Sequence, residues 1–129
     1  MKIKIFFTTL FIITSIFAEV EKINYNQQND EYLAFAEQMP EPVGGLEGIY
    51  KLIKYPELAA KAGVQGKVYV LAFINEDGSV DDVKVVKGIG AGCDEATIEA
   101  VKKSKFVAGK SGGKNVKVKM SLQVQFKLS

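Results

Sequence analysis

The 129-residue sequence contains no histidine and only one cysteine, Cys93, so several function classes lack their usual residues. No group of metal-ligating side chains occurs at ligand spacing, and we therefore predict neither a metal site nor a cofactor. A single cysteine cannot form an internal disulfide, so packing must hold the fold together. Catalysis has little support, and we predict that the protein is not an enzyme.

Two local patterns resemble chemical sites, and both have a simpler interpretation. Glu76, Asp77, Asp81 and Asp82 cluster around a turn. The alternating oxygen ligands and distal Glu of a calcium loop are absent, so we interpret the cluster as a solvated hairpin tip. Gly90-Ala91-Gly92 precedes a helical segment, but no Lys-Ser/Thr pair follows it, as a phosphate-binding loop requires.

The first 18 residues have the pattern of a secretory signal peptide. Lys2 and Lys4 introduce the apolar run Ile5–Ala18, and the small Ala18 precedes Glu19. As a helix, this run would span roughly 21 Å at ~1.5 Å per residue, which is shorter than the ~30 Å hydrocarbon core of a bilayer. We therefore predict cleavage after Ala18, an exported chain, and no membrane span after cleavage.

Cleavage would also remove the net charge. The sequence has 17 basic and 15 acidic residues, and Lys2 and Lys4 leave with the signal peptide, so the two signs balance. Binding to nucleic acid or to an anionic membrane loses its main support. The remaining chain is long enough for one compact domain. We place a polar tail or arm at residues 19–38 and the folded domain at residues 39–129.

In the chain that remains after cleavage, from Glu19 onward, the first half has the pattern of an arm followed by two short helices. Glu19–Asp30 is polar and is predicted to be a mobile tail. Tyr32–Ala36 is apolar enough for a short strand or an extended arm. Leu46–Lys54 has apolar residues at helical spacing, and Pro56–Ala62 suits a second helix that Pro56 begins. We predict a bend between them at Tyr55.

The second half predicts a sheet and one longer helix. Lys67–Ile74 has strand formers on both faces, so it should lie inside a sheet with its second face partly covered. The turn Asn75–Gly78 returns the chain into the strand Val80–Lys87. Asp94–Ser104 carries acidic residues in its first turn and basic residues near its last, which suits a helix dipole. Val116–Leu128 alternates apolar and polar residues without a break.

This closing alternation predicts a long strand with one solvated face. At ~3.3 Å per residue it would reach roughly 43 Å, more than its neighbours need, so part of it should lack a partner. An unpaired edge offers backbone donors and acceptors to an incoming peptide. Two alternatives remain open: Lys117, Lys119 and Lys127 block unwanted pairing, or the edge pairs with a second copy of the chain.

An ordered series of motifs resembles the TonB C-terminal domain family. The series comprises Tyr55-Pro56-Glu57-Leu58-Ala59-Ala60-Lys61-Ala62-Gly63, Gly66-Lys67-Val68-Tyr69-Val70, Glu76-Asp77-Gly78, Val83-Lys84-Val85-Val86, the helix Asp94–Ser104, Gly109-Lys110-Ser111-Gly112-Gly113-Lys114 and the strand that follows. The resemblance covers about Met39 to Phe126. It implies an α+β fold, a three-stranded antiparallel sheet with two helices packed on one face, and leaves room for an extra N-terminal strand.

The same resemblance implies a non-catalytic periplasmic module that pairs with an extended peptide of an outer-membrane TonB-dependent receptor. In the family's energy transducers the receptor peptide adds beside the last strand, close to the Tyr-Pro segment. The corresponding positions here are Ile53, Lys54, Tyr55, Pro56, Val116, Lys117, Val118, Lys119, Met120, Ser121, Leu122, Gln123, Val124 and Gln125.

The chain departs from the family pattern at three points. Ala108 and Asn115 stand where family members commonly have proline. A full transducer also has a retained membrane helix and a long proline-rich spacer, and we expect neither here. We therefore expect a protein that binds a strand but does not by itself transmit force, in agreement with Glu37–Gly45, which resembles the lead-in of members other than the main transducer.

Two other function classes remain as hypotheses. The first is a self-associating periplasmic structural protein that forms a homodimer through its last strand. The second is a redox protein based on Cys93, which lies at a predicted helix N-terminus where a thiolate would be stabilised. Because family members often carry an apolar residue at this position, we predict that Cys93 is instead a buried small hydrophobe.

Overall fold

The structure, a computed structural model, describes residues 31–129, and Tyr32–Ser129 form one compact unit. The predicted signal peptide and the predicted mobile tail at Glu19–Asp30 lie outside the described residues. Within residues 31–129, no helix is both long and apolar enough to cross a membrane.

The elements follow one another in an order that brings three strands into one sheet. They are β1 (Glu41–Pro42), α1 (Gly45–Tyr50), α2 (Glu57–Ala62), β2 (Gly66–Ile74), β3 (Val80–Lys87), α3 (Cys93–Lys103), β4 (Phe106–Val107), β5 (Gly109–Ser111), β6 (Lys114–Val116) and β7 (Val118–Phe126). The main sheet is antiparallel with the order β3-β2-β7. The predicted α+β fold is confirmed, and β1 is the extra N-terminal strand, which pairs with β4 rather than with the main sheet.

The hairpin of β2 and β3 has the predicted bounds to within one residue. Its turn depends on Gly78, whose φ of 85° lies in the left-handed region that glycine adopts without strain. The Gly78 carbonyl accepts a hydrogen bond from the Phe106 N–H at 3.0 Å, so the turn packs directly on the chain after α3. A Cβ at Gly78 would lie 1.9 Å from the Phe106 carbonyl oxygen. The turn therefore requires glycine both for its φ angle and for this close approach.

The closing strand is not continuous, and that prediction was wrong. β6 ends at Val116 because it forms a small hairpin with β5, through Gly112 and Gly113 at φ 60° and 75°. β7 begins at Val118, and each of its nine residues pairs with β2. The excess length is thus used in the β5-β6 hairpin. The side of β7 that lacks a partner strand is its outer edge.

α1 and α3 each begin one residue before their predicted start and end before their predicted end, whereas α2 differs only at its start. α1 stops at Tyr50, before the predicted end at Lys54. Pro56 precedes α2 as an extended N-cap, with φ −63° and ψ 135°, instead of occupying its first helical position. α3 has acidic residues in its first turn and basic ones in its last, as its sequence indicated.

The core lies on one face of the sheet and is closed by the helices. Every second residue of β2 is fully buried there, and α1 and α3 contribute Ile49 and Val101. Each buried aliphatic side chain of this size contributes roughly 1.5–3 kcal/mol relative to exposure. The cluster comprises Ile49, Ala59, Val68, Val70, Ala72, Ile74, Val83, Cys93, Ala100, Val101, Phe106, Leu122, Val124 and Phe126.

The opposite face of the sheet is covered in one place. Phe73 of β2 is only 6% exposed, because the Tyr32 ring meets it edge-on with centroids 5.1 Å apart and Lys84 Nζ lies 5.3 Å from its centroid. The Tyr32 hydroxyl also donates a hydrogen bond to the Asp81 carboxylate. The predicted partial cover of the second face is confirmed at Phe73. This contact brings the N-terminal arm to the sheet.

Candidate functional site

The two outer edges of the sheet differ in regularity. β7 pairs with β2 along its whole length without a register shift: Gly66 is opposite Phe126 at one end, and Ile74 is opposite Val118 at the other. The β2-β3 pairing shifts twice, and each shift inserts one extra residue into β3, Val86 and Asp81. Such bulges bend and twist a strand and thereby protect its edge from further pairing. The edge suited to accept another strand is therefore that of β7.

The hydrogen bonds at the start of β7 fix which of its backbone groups point outward. Leu33 forms a parallel bridge opposite Val118: its N–H donates to the Lys117 carbonyl, and its carbonyl accepts from the Lys119 N–H, both at 2.9 Å. In a strand the backbone groups of alternate residues point to opposite sides. The N–H and C=O groups of Lys119, Ser121 and Gln123 therefore face away from β2.

The other end of this edge is closed by a side chain. The Gln125 N–H donates to the Tyr50 hydroxyl at 3.0 Å, so the last turn of α1 reaches the outer side of β7. Between Leu33 and Tyr50 lie the outward groups of Ser121 and Gln123, for which no residue of the described range 31–129 supplies a hydrogen-bond partner. We call this stretch, from Lys119 to Gln123, the open window.

An apolar groove of about 360 Å³ adjoins the open window. The arm forms one wall of this groove, because the chain leaves the β7 edge directly after Leu33. Lys119 is the one lysine of the three suspected blocking residues that lies within β7, since Lys117 precedes the strand and Lys127 follows it. The groove is lined by Ala34, Met39, Leu71, Lys119, Met120 and Ser121.

The second group of predicted site residues lies at the far end of β7. The Tyr55 ring packs edge-on against Phe126 with centroids 5.4 Å apart, and its hydroxyl donates to the Val64 carbonyl at 2.5 Å. Burial, together with the nearby Cys93, raises the pKa of Tyr55. Ile53 packs against the core, whereas Lys54 is exposed. Tyr55 thus packs in the fold beside the end of β7, and its hydroxyl is engaged by the Val64 carbonyl.

The structure places the predicted strand residues in two groups. Val116 belongs to the β5-β6 hairpin and Lys117 to the link after it, whereas the positions from Val118 to Gln125 lie in β7. Sequence reasoning missed Leu33 and Tyr50. Leu33 acts through its backbone, which leaves no side-chain signal. Tyr50 is one of the apolar residues at helical spacing that predict the helix Leu46–Lys54, and its hydroxyl is the one sign in the sequence of a polar contact.

The remaining chemical candidates have structural roles. The Asp77 carboxylate accepts hydrogen bonds from the Ser79 hydroxyl and N–H, which lower the pKa of Asp77. Within residues 31–129, no group of three or more His, Cys, Asp or Glu side chains is arranged to hold a metal ion. Cys93 is fully buried, as predicted. Burial is the main cause that raises the pKa of its thiol, and the negative charges of Asp94 and Glu95 raise it further.

Fold and edge together define a small α+β module that buries one sheet face under helices and leaves one regular strand edge open. The chain belongs to the family of Gram-negative bacterial TonB protein C-terminal domains, whose family model matches residues 51–128.

Two proteins with similar sequences are themselves named TonB proteins. The chain is 34% identical over 77 residues to Protein TonB of Xanthomonas campestris pv. campestris, and 34% identical over 77 residues to Protein tonB2 of Pseudomonas aeruginosa. Each match covers 59% of this chain, but only 34% and 28% of the relatives. The chain therefore spans about a third of the length of the TonB proteins it matches.

Solved structures of such domains are also similar. The NMR structure of the Pseudomonas aeruginosa TonB CTD is 31% identical, with a TM-score of 0.48, and the match covers 59% of this chain and 78% of that one. The NMR structure of Helicobacter pylori TonB-CTD (residues 194–285) is 29% identical, with a TM-score of 0.46, covering 63% and 86%.

Proposed function

We propose that this chain is a non-catalytic peptide-binding module of the periplasm, in which the outer edge of β7 pairs with an extended segment of an outer-membrane TonB-dependent receptor. The observation that carries the proposal is the regular β7 edge with its open window. Backbone pairing gives affinity with little sequence demand, and an unbulged strand presents its donors and acceptors at the spacing that another strand needs.

The surroundings of the window favour a peptide over a small molecule. Its outward groups are backbone amides and carbonyls, and Ser121, Gln123 and Gln125 add exposed uncharged side chains. Periplasmic location is part of the same proposal and rests on the Met1–Ala18 pattern. Mass spectrometry of the mature protein tests the cleavage on which this part rests: an N-terminus at Glu19 supports cleavage after Ala18, and an intact Met1 contradicts it and favours a retained membrane anchor.

The binding test is a titration of the ¹⁵N-labelled protein with peptides from the N-termini of outer-membrane receptors of the same organism. We expect chemical-shift changes concentrated between Lys119 and Gln125. Ser121→Pro removes one outward N–H at an edge position that tolerates proline, and we expect affinity to fall roughly tenfold. Ser121→Ala is the matched control, because it removes the hydroxyl but keeps the backbone donor.

Two results would overturn the proposal. One is equal binding by the Ser121→Pro variant, with its fold checked by circular dichroism. The other is a concentration-dependent dimer, seen by sedimentation, that responds to no peptide. That second result would establish the self-associating structural protein as the better function.

A further inference from the structure

We propose that Leu33 and Tyr50 limit the length of the partner segment, so that the β7 edge selects a short extended peptide of about five residues. This inference rests on the proposed function and adds to it two specificity-determining residues outside the strand itself. Both form hydrogen bonds with outward backbone groups of β7, and a longer partner segment would have to pair with those same groups.

Leu33 closes the edge on the side where β7 begins. Its N–H and carbonyl occupy the Lys117 carbonyl and the Lys119 N–H, as the first residue of an added parallel strand would do. Leu33 is 42% exposed, so the backbone bridge, more than side-chain packing, holds it there. The neighbouring Tyr32 anchors the arm through its ring contact with Phe73 and its hydrogen bond to Asp81.

Tyr50 closes the edge on the side where β7 ends. Its hydroxyl accepts the Gln125 N–H, an outward group that would otherwise pair with a partner's carbonyl. Tyr50 is the last residue of α1 and is 40% exposed. Tyr50 therefore stops pairing by a single hydrogen bond and by the space that its ring fills.

The distance between the two stops sets the length of the partner. From Lys119 to Gln125 a strand rises roughly 20 Å at ~3.3 Å per residue, which matches about five paired residues once the occupied ends are left out. After Leu33 the arm turns away from β7, and Gln38 next pairs with Lys110. The arm thus leaves the window free while it remains anchored at both of its own ends.

The occupied ends are testable without any partner, by amide hydrogen exchange of the free protein. We expect protection of the Lys119 and Gln125 amides and fast exchange of the Ser121 and Gln123 amides. Tyr50→Phe removes the acceptor, so it should deprotect Gln125 and leave the other three unchanged. Fast exchange of Gln125 in the unaltered protein would overturn the role of Tyr50.

The length limit is tested with nested five-residue and nine-residue peptides, cut from a receptor peptide that binds in the titration above. In the unaltered protein we expect the two affinities to agree within about twofold. In Tyr50→Ala, which removes both the hydroxyl and the ring, and in Leu33→Pro, which removes the arm's donor to Lys117, the longer peptide should bind roughly three- to tenfold more tightly, from the added hydrogen bonds. Leu33→Ala keeps the backbone bridge and is the matched control.

The outcomes separate the two proposals. A nine-residue peptide that outbinds the shorter one equally in all four proteins would overturn the length limit and leave the proposed function standing. An absence of binding by either peptide to every variant would overturn the proposed function itself, and the length limit with it.

Discussion

The close approach of Gly78 to Phe106 allows the fold to be tested with a matched pair of substitutions. Gly78 and Gly113 both have left-handed φ angles, 85° and 75°, so alanine is strained at either position. Their surroundings differ. A Cβ at Gly78 would lie 1.9 Å from the Phe106 carbonyl oxygen and 3.0 Å from its carbonyl carbon, whereas nothing lies within 4 Å of a Cβ at Gly113.

The expected costs follow from this difference. A left-handed alanine costs ~1–2 kcal/mol at either site. At Gly78 the added methyl group meets backbone, which cannot rotate away, so the turn must separate from the start of β4. That separation removes the Phe106 N–H to Gly78 hydrogen bond, worth roughly 0.5–1.5 kcal/mol net, and loosens the packing of a buried phenylalanine. We expect Gly113→Ala to lose ~1–2 kcal/mol and Gly78→Ala roughly 3 kcal/mol or more.

The assay is urea unfolding of the two variants and the unaltered protein, followed by far-ultraviolet circular dichroism under identical conditions. Equal slopes against urea would show that the variants unfold between comparable states. A Gly78→Ala variant within ~0.5 kcal/mol of Gly113→Ala would refute the argument that the turn is locked against Phe106, because only the shared φ cost would then remain.

Two further predictions concern the titratable groups outside the edge. Because Cys93 is fully buried and its thiol pKa is raised, we expect a thiol reagent to label it only as fast as the protein unfolds; rapid labelling in buffer alone would contradict this. Because hydrogen bonds from Ser79 lower the pKa of Asp77, its carboxylate should stabilise the fold above the ordinary carboxyl pKa and lose that contribution as pH falls through the lowered value. Asp77→Asn should thus be less stable than the unaltered protein at neutral pH, with a difference that shrinks in acid; a constant difference from pH 7 to pH 3 in urea unfolding would contradict this.

The sequence predicted the elements whose signals are local. The Asp77-Gly78 turn and the apolar residues on both sides of it gave β2 and β3 to within one residue. The charges at the ends of α3 placed it nearly as well. These features depend on turn chemistry and burial, which residue types encode directly.

The break in the closing strand was not predictable from the alternation. Val116 and Val118 are two positions apart, so the apolar pattern passes through Lys117 unchanged while the backbone leaves one pairing and begins another. The candidate site had the same difficulty. The alternation located β7, but it did not reveal the two residues that occupy the ends of its outer edge. Leu33 contributes only backbone groups, and Tyr50 contributes a hydroxyl on an otherwise apolar helix face.

The two bulges of β3 have a consequence for how many copies of this domain can join. If both sheet edges were regular, the β7 of one copy could pair with the β3 of the next, and such head-to-tail contacts would propagate into an open-ended fibre. Val86 and Asp81 interrupt the ladder on the β3 side, so every copy has a single acceptor edge. If a strand pairs with the main sheet, whether it belongs to a peptide or to a second copy of the chain, no further strand can then add at the β3 edge, and the assembly does not grow.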